Sequence, residues 1–118
     1  VTAAENAAAH NQKLPVTTDI DAAYSDAEVV YCKSWGALPC YGDPTAEWEL
    51  RQNYRHFMVD GPKMAKTKNA LFSHCLPLRR NIKASDEVMD ADYCIAIDEA
   101  ENRLHVQKAI MTHLIHPE

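Results

Sequence analysis

No stretch of this sequence approaches the roughly 20 consecutive apolar residues that a helix needs to cross a bilayer, which argues against a membrane-spanning protein. A basic surplus is missing as well. Twelve Lys and Arg stand against 17 Asp and Glu, a formal charge of −5, and a general nucleic-acid binder normally carries the opposite balance. No C-x-x-C pair occurs among Cys32, Cys40, Cys75 and Cys94, so zinc-ribbon and thioredoxin-type readings fail. Four cysteines in 118 residues are also sparse for a disulfide-stapled secreted domain, and the expectation is reduced thiols in a cytoplasmic protein. The sequence opens at Val1 with no initiator Met, no basic-then-apolar leader and no cleavage site, and nothing in it points to secretion. Internal repeats and low-complexity tracts are absent.

What is there is an ordinary globular composition, 47% hydrophobic and 25% charged, in a length of 118 residues that fits one domain. The charge is unevenly placed. From Lys63 to Lys83 there are six basic residues and no acid, and from Asp86 to Glu101 seven acids and no base. Two solvated faces on neighbouring elements are the ordinary reading of this pattern. Arg79, Arg80 and Lys83 differ because they directly follow a predicted strand. Loops at strand C-termini are where open α/β sheets hold ligands, so this basic group is a candidate anion site.

Along the chain, Thr2 to Gln12 is Ala-rich and predicts a helix or its tail, and Leu14 to Thr18 an extended segment after Pro15. Asp19 is placed to N-cap a short helix from Ile20 to Ser25. Glu28 to Cys32 predicts a strand apolar enough for burial on both faces, followed by a loop from Lys33 to Asp43 punctuated by Gly36, Pro39 and Gly42. Asp43-Pro44 opens a helix predicted through Met58, and Asp60 with Pro62 another through Lys66. Ala70 to Cys75 predicts the second strand, Ser85 caps a turn of helix over Asp86 to Met89, and Cys94 to Ile97 predicts a third strand. A final helix is expected from Glu99 to Ile115, with apolar stripes through Leu104, Met111 and Ile115 and through Val106, Ile110 and Leu114. Strands alternating with helices define an α/β fold with a parallel sheet and flanking helices. With so few strands, the chain reads as part of a larger domain.

Three stretches carry a resemblance. His74-Cys75-Leu76-Pro77 contains the H-C-L-P loop of the ornithine/aspartate carbamoyltransferase family, and Glu101-Asn102-Arg103-Leu104-His105-Val106-Gln107-Lys108 resembles that family's E-N-R-x-H-x-Q-K segment. Val29 to Leu38 is similar to its strand and amino-acid-binding loop, in the same order and spacing. Within the family the likeness points to the branch that carbamoylates N-acetylornithine. The resemblance implies that residues 1–118 are the later portion of the amino-acid-binding domain, with the carbamoyl-phosphate-binding domain and its S-x-R-T-R loop absent.

The family chemistry is attack of a neutral δ-amine on the carbonyl of carbamoyl phosphate, with negative charge building on the carbonyl oxygen. By resemblance the catalytic residues are Cys75, bordering the attacking amine, and Arg103, directed at the carbamoyl group. His74, Leu76, Lys33, Arg79 and Lys83 join Arg103 as substrate-binding residues. A cis Leu76–Pro77 peptide is implied, turning the Leu76 carbonyl into the site. Lys33 stands where enzymes that use free ornithine have an aspartate for the α-ammonium. Acylation removes that charge and leaves the carboxylate, which a lysine attracts and an aspartate repels. Arg79 would add a charge-assisted contact to the same carboxylate. Lys83 matches a lysine near the acyl group that can be carbamylated, so its charge is open.

Taken alone, these residues also have ordinary readings. Lys33 could be an exposed loop lysine, Cys75 a strand-end thiol, His74 a satisfied core histidine, and Arg103 a helix-start arginine paired with Glu99 or Glu101. The macrodipole disfavours an arginine that early in a helix, which leans towards function. Trp35 reads as a packed aromatic, and His10, His113 and His116 as surface histidines. The resemblance further implies small-molecule substrates, carbamoyl phosphate and N-acetylornithine, with no cofactor, metal, nucleic acid or membrane partner. It also implies a cytoplasmic homo-oligomer, the trimer of the family, making arginine precursors. Two other readings stay open: the N-succinylornithine enzyme, and a non-catalytic amino-acid-binding or assembly domain.

Overall fold

The computed structural model describes residues 2–33 and 36–116. Ser34 and Trp35, and with them the reading of Trp35 as a packed aromatic, lie outside the described residues. Helix α1 spans Ala3–Ala9 and starts on a capping box, in which Thr2 and Glu5 satisfy each other's backbone amides. Helix α2, Ile20–Tyr24, is capped by the Asp19 carboxylate, as its sequence predicts. Strand β1, Val29–Cys32, and strand β2, Leu71–His74, pair in parallel with Cys32 opposite His74 and Tyr31 opposite Ser73. Between them lie α3, Pro44–Gln52, capped by Asp43, and α4, Gly61–Met64, capped by Asp60. Helix α5, Asp86–Met89, follows β2 on its Ser85 cap, and α6 runs from Ala96 to Ile115.

The result is a two-stranded parallel sheet with flanking helices. Its core is Val59, Met64, Ala70, Phe72, Ala84 and Val88, with Tyr24, Val30, Leu78 and Tyr93 packed around them. Phe72 and Val88 are wholly buried. Full burial is worth roughly 1.5–3 kcal/mol for a large apolar side chain such as Phe72 or Val88.

Three sequence expectations need correction. Cys94 to Ile97 is not a strand: it adds one isolated bridge, Phe72 with Cys94, and the chain then turns into α6 at Ala96. Short apolar runs do not distinguish strand from helix, and Asp98 and Glu99 favour a helix start. Strand β1 is not buried on both faces, since Val29 and Tyr31 are 58% and 52% exposed. The helix expected to reach Met58 ends at Gln52 and is replaced by a 3-10 turn over Arg55–Phe57. Leu14 to Thr18, expected as an extended segment, lies outside the helices and strands.

Helix α6 is the element least explained by this core. Ala96 is its one buried residue, and Leu104, Val106, Ile110, Met111, Leu114 and Ile115 are all more than half exposed.

Candidate active site

The two strands end side by side, so the residues that follow them meet at one edge. Lys33 comes directly after β1 and Cys75 directly after β2, and the Lys33 ammonium donates to the Cys75 sulfur at 3.5 Å. Strand alternation puts Tyr31, Lys33, Ser73 and Cys75 on one face, and Cys32 and His74 on the other.

The H-C-L-P turn is held from inside. His74 is fully buried, and its Nδ1 accepts the Leu76 amide at 2.8 Å, which places the proton of the neutral ring on Nε2. Burial, then the Lys33 charge, lowers the His74 pKa; Lys83 adds to this and Glu99 opposes it. Leu76 adopts a φ of 45°, in the left-handed region, and the Leu76–Pro77 peptide is cis.

Lys83 is 3% exposed, and burial with the Arg51 guanidinium pulls its amine down to about 8. Its backbone carbonyl accepts from the Cys32 thiol at 3.7 Å and from the Val59 amide at 2.9 Å. Arg51 is also buried and ion-pairs with Glu47 one turn earlier on α3. Burial pushes the Cys32 thiol up, with Lys83 opposing. Beside this edge opens a cavity of about 400 Å³ walled by Tyr24, Val30, Cys32, Tyr54, Phe57 and Lys33.

Lys33, His74, Cys75 and Leu76 therefore share one edge, and Lys83 lies beneath it. Arg79 and Arg103 are exposed, and among the described residues neither forms an ion pair with a carboxylate. Neither Glu99 nor Glu101 pairs with Arg103: Glu99 takes Tyr31 and Ser73, and Glu101 lies 3.8 Å from His105. Because α6 begins at Ala96, Arg103 stands about two turns inside the helix, and the macrodipole argument for it has no force. Arg80, beside Arg79, is taken up by Asp86 and Asp90.

Three further residues belong to this edge and were not expected there. The Tyr31 hydroxyl donates to Glu99 Oε1 at 3.3 Å, the buried Ser73 hydroxyl donates to Glu99 Oε2, and Tyr31 also interacts with the Cys75 thiol. The signal was present in part: Tyr31 and Ser73 lie two positions before Lys33 and Cys75, the spacing that shares a face.

The geometry defines a polar strand-end edge of the α/β type, with the Lys33 ammonium at the Cys75 sulfur. Comparison with known proteins gives the family of the chain. Residues 1–114 match the family "Aspartate/ornithine carbamoyltransferase, Asp/Orn binding domain", and the chain belongs to this family. It is 62% identical over 113 residues to the N-acetylornithine carbamoyltransferase of Xanthomonas campestris, covering 96% of this chain and 33% of that protein. A crystal structure of acetylornithine transcarbamylase complexed with acetylcitrulline is 62% identical and superposes with a TM-score of 0.81, over 94% of this chain and 33% of the other. A variant of that enzyme complexed with carbamyl phosphate and N-succinyl-L-norvaline matches with the same TM-score of 0.81, the same identity and the same coverage. The chain spans about a third of the length of these relatives.

Proposed function

We propose that this chain is the later portion of the amino-acid-binding domain of a longer N-acetylornithine carbamoyltransferase. The enzyme transfers a carbamoyl group from carbamoyl phosphate to the δ-amine of N-acetylornithine, giving N-acetylcitrulline and phosphate in arginine biosynthesis. The observation that carries the reading is the Lys33 ammonium at the strand edge, 3.5 Å from Cys75, where a free amino acid would require an anion. The 62% identity to the Xanthomonas campestris protein supports it.

In this reading Lys33 and Arg79 hold the α-carboxylate of the acylated substrate. The Cys75 thiol and the Leu76 carbonyl border the δ-amine and the carbamoyl amino group, and His74 fixes the turn that presents them. Arg103 supplies positive charge to the carbonyl oxygen as the tetrahedral intermediate forms. Lys83 lies under the acyl group. The phosphate-binding groups come from the remaining part of the protein, and bringing both substrates together accounts for much of the acceleration. The family resemblance further supports a cytoplasmic homotrimer, for which the exposed apolar side chains of α6 offer packing surface.

The test is formation of N-acetylcitrulline, followed by mass, from carbamoyl phosphate and N-acetylornithine. The 118-residue chain alone is expected to be inactive, and the full-length protein carrying it active. Turnover by the chain alone, well above its Cys75→Ala, Arg103→Ala double variant, contradicts the division of labour. A full-length protein that turns over N-succinylornithine in preference contradicts the substrate.

A further inference from the structure

Helix α6 is long, yet it is fastened to the described residues only near its start. Ala96 is buried in it, and every residue from Ala100 to His116 is exposed. That first part is held by the Ile95 amide, which donates to the Phe72 carbonyl at 2.9 Å, by buried Ala96, and by one side chain, the Glu99 carboxylate. Glu99 receives the hydroxyls of Tyr31 and Ser73, which are direct register partners across the β1–β2 ladder. A single side chain on α6 thus bridges both strands two residues before their catalytic edge. Ser73 is 4% exposed, so its hydroxyl would lose its hydrogen-bond partner inside the protein if the carboxylate left.

The same carboxylate links the strand edge to α6. Tyr31, gripped by Glu99, also meets the Cys75 thiol, which in turn accepts from Lys33. Arg103 is four residues after Glu99, on the same face of α6 and one turn further along. The Glu99 contacts, together with the Ile95–Phe72 backbone bond, therefore bear on the direction in which α6 presents Arg103.

We propose that Glu99 is a positioning residue for carbamoyl transfer: by gripping Tyr31 and Ser73 it sets α6, and with it Arg103, against the Lys33–Cys75 edge. The inference rests on the function proposed above. It assigns Glu99 no contact with substrate and no proton to carry. Its effect is geometric, and misplacement of a reacting group by about 1 Å can cost on the order of a hundredfold in rate.

The experiment is a double-mutant cycle in the full-length protein, with turnover of carbamoyl phosphate and N-acetylornithine as the readout. Glu99→Ala is expected to lower kcat roughly 30-fold or more while KM for N-acetylornithine moves less than about threefold. Glu99→Gln, which keeps an oxygen for one hydroxyl, is expected to recover most of the rate. In an Arg103→Ala background, Glu99→Ala is expected to cost less than about threefold further, because the residue it positions is gone. A merely structural role would lower the rate by the same factor in both backgrounds, and that result overturns the proposal. If Glu99→Ala does not fold, Tyr31→Phe replaces it, with roughly three- to tenfold loss expected in wild type and little in the Arg103→Ala background. A kcat within twofold of wild type for the folded variant also overturns it. A wild-type protein that makes no N-acetylcitrulline removes the functional reading and this inference together. Active wild type with additive losses removes this inference alone.

Discussion

The Lys33 ammonium donates to the Cys75 sulfur across the ends of two parallel strands, at 3.5 Å, although the residues are 42 positions apart in sequence. The parallel register that sets Cys32 opposite His74 makes this meeting unavoidable, because each residue is the next one along. In the proposed function, this edge is where substrate charge is read and the reacting amine received. In the full-length protein, Lys33→Asp is expected to lower kcat/KM for N-acetylornithine and to favour ornithine relatively. Loss of a charged hydrogen bond of about 1.5–3 kcal/mol corresponds to roughly ten- to a hundredfold. The measurement is the ratio of kcat/KM for the two acceptors.

Arg79→Leu separates two ways of losing a cation. It removes positive charge from the α-carboxylate without supplying an anion for an ammonium. N-acetylornithine is expected to lose a similar factor, roughly tenfold or more, with no gain for ornithine. Arg79 is exposed and makes no ion pair among the described residues, so folding is expected to be unchanged, which a thermal melt checks.

Lys83 gives a pH dependence of stability. Burial and the neighbouring Arg51 hold its amine at about 8 in the folded chain, against an ordinary value of 10.5. Between these values the unfolded chain retains a proton that the folded chain has shed, so stability rises with pH across that window. Below about 8 both states are protonated and the buried cation costs on the order of 3 kcal/mol. Lys83→Met is therefore expected to raise stability at pH 7 and to flatten the rise between pH 8 and 10. Denaturant melts across that range check both effects.

The extent to which this was legible in the sequence depended on whether the signal was local. Asp19, Asp43, Asp60 and Ser85 each cap the helix that their position announces, because a cap needs only its own next three residues. The H-C-L-P turn and Lys33 were singled out by the family resemblance, their positions alone allowing a core histidine, a strand-end thiol and an exposed lysine. Glu99 was not, because its partners lie 26 and 68 residues away on two different strands. Periodicity identifies the face of a helix but not what that face reaches. Cys94 to Ile97 failed for the converse reason: four apolar residues suit either a strand or a helix, and here the tertiary arrangement allowed a single bridge before α6 began.

His74 yields a prediction on the acid side. Its folded pKa is lowered from 6.5, chiefly by burial and by Lys33. As pH falls below the ordinary histidine value, the unfolded chain takes up a proton that the folded chain resists, and stability declines. His74→Asn, whose side-chain oxygen can still accept the Leu76 amide, is expected to lose less stability than wild type on acidification. Paired denaturant melts at pH 7.5 and about pH 5.5 make the comparison, with the difference between variants as the readout.

The most direct measurement is a competition assay in which the full-length protein receives carbamoyl phosphate with equal concentrations of N-acetylornithine and ornithine. Both carbamoylated products are followed by mass. A site whose edge carries Lys33, with no anion in its place, predicts N-acetylcitrulline in large excess, by roughly a hundredfold or more. Citrulline as the main product would contradict the account at its centre.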